Sequence, residues 1–208
     1  MISSLLRLFR RRSLDYAGLR HIVMGLGNPG RRYAATRHNI GARVLSELAR
    51  EDGLDFLPGR GDFEGARLKG ASWQALLVLP HTFMNRSGRA GVRVTELSGL
   101  SPERVLIVLD DLDLPLGRLR FRSGGGSGGH KGLESLIYEW GRDDFPRLRI
   151  GIGRPDEGEI PNYVLSAFPE EDLDRVHRIV EAAAEAVRYY LGNGLERAAS
   201  RFNSMNIE

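Results

Sequence analysis

Apolar residues in this chain come as short continuous runs, set between longer stretches in which they recur every three or four positions. Ile22-Val23-Met24 is the first such run, and it breaks at Gly25, Gly27, Pro29 and Gly30, as a buried strand does when it ends in a tight loop. Four polar side chains follow, Thr36-Arg37-His38-Asn39, before Gly41 opens a helical pattern over about 41–51 with Val44, Leu45 and Leu48 on one face. Residues 61–69 and 73–79 read as a hairpin around Gly70 and Ala71, and 87–97 as a helix behind the polar run Asn85-Arg86-Ser87. Further on, 105–109 and 117–122 read as strands, a glycine-rich run fills 123–129, and 131–140 reads as a helix. A strand at 148–152 and helices at about 170–191 and 194–202 complete the pattern. Strands interleaved with helices predict an α/β fold: one domain over 21–208, a three-layer sandwich whose mixed, mostly parallel central sheet is flanked by helices.

Composition narrows this picture in three respects. The 208 residues suffice for one domain with a proper core, and the absence of cysteine excludes disulfides and thiolate metal sites, which suits a reducing compartment such as the cytoplasm. No apolar run has the length needed to cross a bilayer. Of the 30 basic residues only Lys69 and Lys131 are lysines, and the net charge of +3 is mild, so a nucleic-acid partner would be signalled by clustering rather than by the total. The first twenty residues carry Arg7, Arg10, Arg11, Arg12 and Arg20 against one acid, Asp15. They read as a disordered arm outside the domain, with an organelle transit peptide as the alternative.

Candidate chemistry gathers at three places. His38, between a strand end and a helix start, is either a base working near neutral pH, where histidine ordinarily titrates, or a surface loop residue. Gly25-x-Gly27-x-x-Gly30 matches the dinucleotide-binding fingerprint in letters only. Pro29 pushes Asn28 out of helical conformation, the next convincing helix comes eleven residues later, and the expected acid is missing, since Glu47, Glu51 and Asp52 fall in the helix and its exit. Gly125-x-Ser127-x-Gly129 matches a nucleophile elbow, yet in so glycine-rich a run any serine would satisfy it, and His177, the histidine considered as its partner, lies on a strongly charged helix.

Four longer stretches are more specific. GLGNPGRRYAATRHNIG, LPHTFMNRSGRAG, LDDLDLPLGRLRFRSGGGSGGHKGL and FPRLRIGIGRP, in this order, resemble the bacterial-type peptidyl-tRNA hydrolases, and the resemblance runs from about Ile22 to the C-terminus. It implies hydrolysis of the ester that joins a peptide, or an N-blocked aminoacyl group, to the 3′ ribose of tRNA, without metal or cofactor, by a monomer with no membrane partner. It also implies His38 as general base, with Asp110 stabilising its basic or charged form. Asp110 stands at the end of the 105–109 strand, on the sheet edge where ligand sites gather. Asn28 matches the asparagine that distinguishes a blocked from a free amino group, and Asn85 the one that positions substrate and water; an amide suits both tasks because it donates and accepts at once. Each asparagine could instead cap a helix. Tyr33 and Phe83 match residues that contact the tRNA end, where an aromatic face can stack on a base for about 1–3 kcal/mol. Arg120 and Arg122, two apart on a strand, point the same way and match a clamp for the 5′ phosphate, with Arg147 and Arg149 placed to extend it; a solvated charged face is the other reading.

This chain departs from the family pattern at Lys131, where an asparagine that contacts tRNA is usual, and at His81, where lysine is common. Lysine keeps a donor but cannot accept, so RNA contact is retained and the water-holding role is in question. Asp111 and Asp113 read as turn or capping acids. A non-catalytic RNA-binding relative is the competing hypothesis, opposed by the joint presence of Asn28, His38, Asn85 and Asp110.

Overall fold

The computed structural model describes residues 13–155 and 159–208. Along the chain run β1 (His21–Gly25), α1 (Ile40–Glu51), β2 (Leu57–Pro58), β3 (Phe63–Lys69), β4 (Gln74–Pro80), α2 (Ser87–Ser98) and β5 (Val105–Asp111). Then come β6 (Leu119–Arg122), α3 (Lys131–Trp140), β7 (Arg147–Gly151), α4 (Ile160–Val164), α5 (Leu173–Asn193) and α6 (Leu195–Phe202). Among the described residues the strands form one sheet in the order β2-β3-β4-β1-β5-β7-β6. The four central strands, β4, β1, β5 and β7, are parallel, while β2, β3 and β6 are antiparallel to their neighbours at the edges. The α/β class and the mixed, centrally parallel sheet are therefore as the sequence predicts.

Both faces of the central strands are covered, which is why they read as unbroken apolar runs. Val23, Leu106, Val108 and Leu148 pack against α1, α5 and α6, whereas Ile22, Met24, Ile107 and Leu109 pack against α2 and α3. Burying each such side chain contributes roughly 1.5–3 kcal/mol. Two short elements, β2 and α4, escape the periodicity reading because two and five residues are too few to show a period. Only the last part of the arm expected over 1–20 falls among the described residues. Leu14 and Leu19 are buried in the second of these layers and Asp15 pairs with Arg67 of β3, so 13–20 are packed on the domain, while 1–12 lie outside the described residues.

The parallel order brings the carboxyl ends of β1, β4 and β5 to one edge of the sheet, where ligands bind in folds of this kind. Gly41, at the start of α1, fixes how closely this edge can assemble. A Cβ at that position would lie 2.2 Å from the Val108 carbonyl oxygen of β5, so only glycine lets α1 rest against the strand.

Candidate active site

His38 sits in the 3-10 turn Arg37–Asn39 that leads into α1, and Asp110 sits near the end of β5. Both are buried, with 8% and 3% of their surface exposed. The His38 Nδ1 lies 2.8 Å from Asp110 Oδ1 and 2.9 Å from Oδ2. An ionised carboxylate only accepts, so Nδ1 carries the proton and Nε2 keeps its lone pair free. His38 lines a cleft of about 880 Å³ at this end of the sheet.

A second histidine completes the arrangement. The Nδ1 of His130 accepts from the backbone N–H groups of Gly132 at 3.1 Å and Leu133 at 3.3 Å, capping α3. Its proton must then be on Nε2, which donates to Asp110 Oδ1 at 3.0 Å. Burial pushes the Asp110 carboxyl up, but His130 and His38 on either side outweigh this and hold it well below the usual carboxylate range. The three side chains have the donor types of a metal site, with ligand atoms all within 4.8 Å of one another. They do not fit an ion, because binding one through His130 Nε2 would require that nitrogen's proton to leave while Nδ1 is already committed to the helix cap.

Asn28 is fixed by its neighbours. Its backbone N–H donates to Asn39 Oδ1 and its carbonyl accepts from Asn39 Nδ2, both at 2.9 Å, while its Oδ1 accepts from the Met84 N–H at 2.9 Å. The Asn28 Nδ2 is left to donate, from a residue that lines the cleft. Asn85 lines the same cleft and is exposed. Tyr33 and Phe83 meet edge to face at its mouth, with ring centroids 6.4 Å apart and Phe83 half exposed. Arg37, the residue before His38, is buried and clasps the segment after α4: its Nη1 donates to Ser166 Oγ at 2.6 Å and the Ala167 carbonyl at 2.7 Å, with the guanidinium over the Tyr163 ring.

The basic residues divide. Arg120 and Arg122 are exposed on the edge strand β6, and Arg122 lines the cleft while Arg120 stands outside its lining. Arg147 does not extend them. It is buried, and it donates to the carbonyls of Gly125 at 2.7 Å, Gly126 at 3.0 Å and Asp143 at 2.9 Å, so it holds the glycine-rich loop in place. Arg149 lines the cleft but is ion-paired with Asp111, and Asp113 pairs with Arg154, so both acids serve as partners to arginines. Lys131, at the first turn of α3, lines the cleft and pairs with Glu134 at 2.8 Å. His81 is a surface residue paired with Glu64 at 3.2 Å.

The elbow reading fails on geometry. Ser127 faces no imidazole: His177 is exposed on α5 and paired with Glu181, and the ring of His130 is turned to Asp110. The glycines of the fingerprint also have another task, since a Cβ on Gly25 would lie 2.5 Å from the Gly41 carbonyl oxygen. Sequence reasoning assigns no role to His130, Asn39 or Arg37. The available signal for His130 was its position as a polar residue directly before the predicted helix at 131.

Fold and site together define an α/β protein with an imidazole oriented by a buried carboxylate on the wall of an open cleft, an arrangement chemically suited to hydrolysis. The profile of the family described as "Peptidyl-tRNA hydrolase" matches residues 22–208. Among curated relatives, "Peptidyl-tRNA hydrolase" of Caldanaerobacter subterraneus subsp. tengcongensis is 42% identical over 190 residues, covering 88% of this chain and 99% of that protein. The protein of the same name from Thermus thermophilus is 44% identical over 187 residues, covering 89% and 97%. The crystal structure of peptidyl-tRNA hydrolase from Acinetobacter baumannii superposes with a TM-score of 0.84 at 31% identity, covering 93% of this chain and 99% of that one. This chain belongs to the peptidyl-tRNA hydrolase family.

Proposed function

We propose that this protein hydrolyses the ester between the peptide, or an N-blocked aminoacyl group, and the 3′ ribose of tRNA. The observation that carries the reading is the His38–Asp110 pair, which leaves the His38 Nε2 unpartnered among the described residues on the wall of an open cleft. In the first step Nε2 takes a proton from water as the water oxygen adds to the ester carbonyl carbon. Asp110 holds the ring in this tautomer and stabilises the imidazolium that forms. The ester C–O bond then breaks, and the imidazolium returns its proton to the departing ribose oxygen. The products are free tRNA and a carboxylic acid.

Asn28 Nδ2 and the exposed amide of Asn85 supply donors toward the substrate carbonyls, and the fixed Asn28 amide suits inspection of a blocked amino group. Tyr33 and Phe83 present aromatic surface to a base at the 3′ end, while Arg120, Arg122 and Lys131 meet phosphate. The reaction needs neither metal nor cofactor. A monomer working in the cytoplasm is part of this reading, and among the described residues no helix is long and apolar enough to cross a membrane.

Release of free tRNA from N-acetyl-aminoacyl-tRNA tests the reading. His38→Ala and Asp110→Asn should each lower kcat by about 10³–10⁴-fold, as removal of such a base or its orienting acid does elsewhere, with Ser127→Ala retaining turnover. A folded wild type that binds tRNA without turnover would establish the non-catalytic RNA-binding alternative instead.

A further inference from the structure

In the cleft lining Arg147, Arg149 and Arg154 are spoken for by carbonyls or acids, whereas Arg122 is not, and neither is a second group further along the rim. Arg31 and Arg32 lie in the 3-10 turn Arg31–Tyr33, and Arg86 ends the 3-10 turn Met84–Arg86. The bond from the Met84 N–H to Asn28 Oδ1 laces these two loops together, and the Tyr33 and Phe83 rings touch across the seam. Arg31, Arg32 and Arg86 are exposed, and none has an acidic partner among the described residues. Arg32 lies over the Tyr33 ring, its Cζ 4.4 Å from the centroid. Chain composition reinforces this, since residues 25–46 and 65–95 contain no acidic residue. At the opposite end of the cleft, by contrast, Arg149 and Arg154 are neutralised by Asp111 and Asp113.

Three guanidinium groups with no acid to neutralise them, Arg32 donating to the Tyr33 hydroxyl, surround a partly exposed aromatic pair and form a surface that combines phosphate attraction with base stacking, the pairing that single-stranded nucleic acid requires. We propose that Arg31, Arg32 and Arg86 form a second phosphate-binding cluster, outside the cleft mouth, that grips the backbone of the single-stranded 3′ segment of the RNA while a base lies against Tyr33 and Phe83. This inference rests on the tRNA-ester reading above. It adds a grip separate from the Arg120 and Arg122 pair, so the substrate is held on both sides of the scissile ester.

The experiment uses the full-length protein and two probes: N-acetyl-aminoacyl-tRNA, and the same ester on a short single-stranded oligonucleotide carrying the tRNA 3′ sequence. Affinity and KM are measured against salt for the wild type and for Arg31→Gln/Arg32→Gln/Arg86→Gln. Loss of three single-strand phosphate contacts should flatten the plot of log affinity against log salt by about 2 and raise KM several-fold for both probes. An unchanged salt slope and KM in a variant that melts like the wild type would overturn the cluster while leaving hydrolysis intact. A wild type that fails to cleave either probe, but whose salt slope still drops in the triple variant, would sink the hydrolase reading and support the cluster.

Discussion

At the scale of single residues the site depends on where two protons sit. His130 spends one ring nitrogen on the cap of α3 and the other on Asp110, so the carboxylate receives two N–H donors, and the one from His38 leaves Nε2 basic. The two tasks of His130 can be separated. Asparagine in its place can still cap the helix through its side-chain oxygen but is too short to reach Asp110, whereas alanine can do neither. His130→Asn and His130→Ala are both expected to lose roughly 10- to 100-fold in kcat, the worth of one hydrogen bond to a charged group. His130→Ala should in addition be less stable than His130→Asn by about 0.5–2 kcal/mol in urea unfolding, the value of a helix cap. Wild-type turnover in His130→Asn would mean that His38 alone suffices to set Asp110. His38 and Asp110 were legible in the chain through their motif and their positions beside a strand. His130 was not, because its importance comes from contacts 20 residues away in sequence rather than from its neighbours.

Between elements, the His38–Asp110 distance is set by how α1 meets β5. Gly41 has the Val108 carbonyl oxygen where its Cβ would be, and Leu26 also donates to that oxygen at 2.9 Å. Gly41→Ala must push the helix off the strand end, which is expected to cost about 1–3 kcal/mol of stability. Because His38 rides on the turn that enters α1, the same variant should lose turnover out of proportion to its stability. Chemical denaturation and the tRNA-release assay at a temperature where the variant is folded would check this, and full activity with full stability would contradict it. Elements with enough length announced themselves, since strands buried on both faces must be apolar throughout and amphipathic helices must repeat. Arg147 shows the limit of the same reasoning. Strand alternation puts it on the face of Arg149, but its burial under the carbonyls of the glycine loop makes it an anchor of that loop, and no local pattern encodes those carbonyls.

For the whole molecule, the far end of the sheet carries an acid sensitivity separate from the active site. The His21 Nδ1 is buried without a hydrogen-bond partner at the start of β1, and the ring meets Tyr190 of α5 at 6.1 Å. Burial, then Arg104 and Arg20, hold its proton affinity below the ordinary histidine value of 6.5. As pH falls below that value the unfolded chain takes up a proton that the folded chain resists, so stability is complete above about 6.5 and declines below it. Asp110 does not contribute in that window, because its depressed carboxyl stays ionised there and its share of stability is lost only at far lower pH. His21→Gln should therefore flatten the fall in melting temperature between neutral and mildly acid pH, and an identical fall in both proteins would remove His21 as its cause. The chain by itself determined the order of the longer strands and helices, the α/β class, the residue types that can do ester chemistry and the family, because periodicity and motif are local properties of neighbouring residues. Only the tertiary structure decided which nitrogen holds each proton, that Arg147 anchors a loop, and which arginines are left without an acidic partner. Those outcomes depend on burial and on partners brought together from distant positions, as the sequence separation of 72 between His38 and Asp110 illustrates.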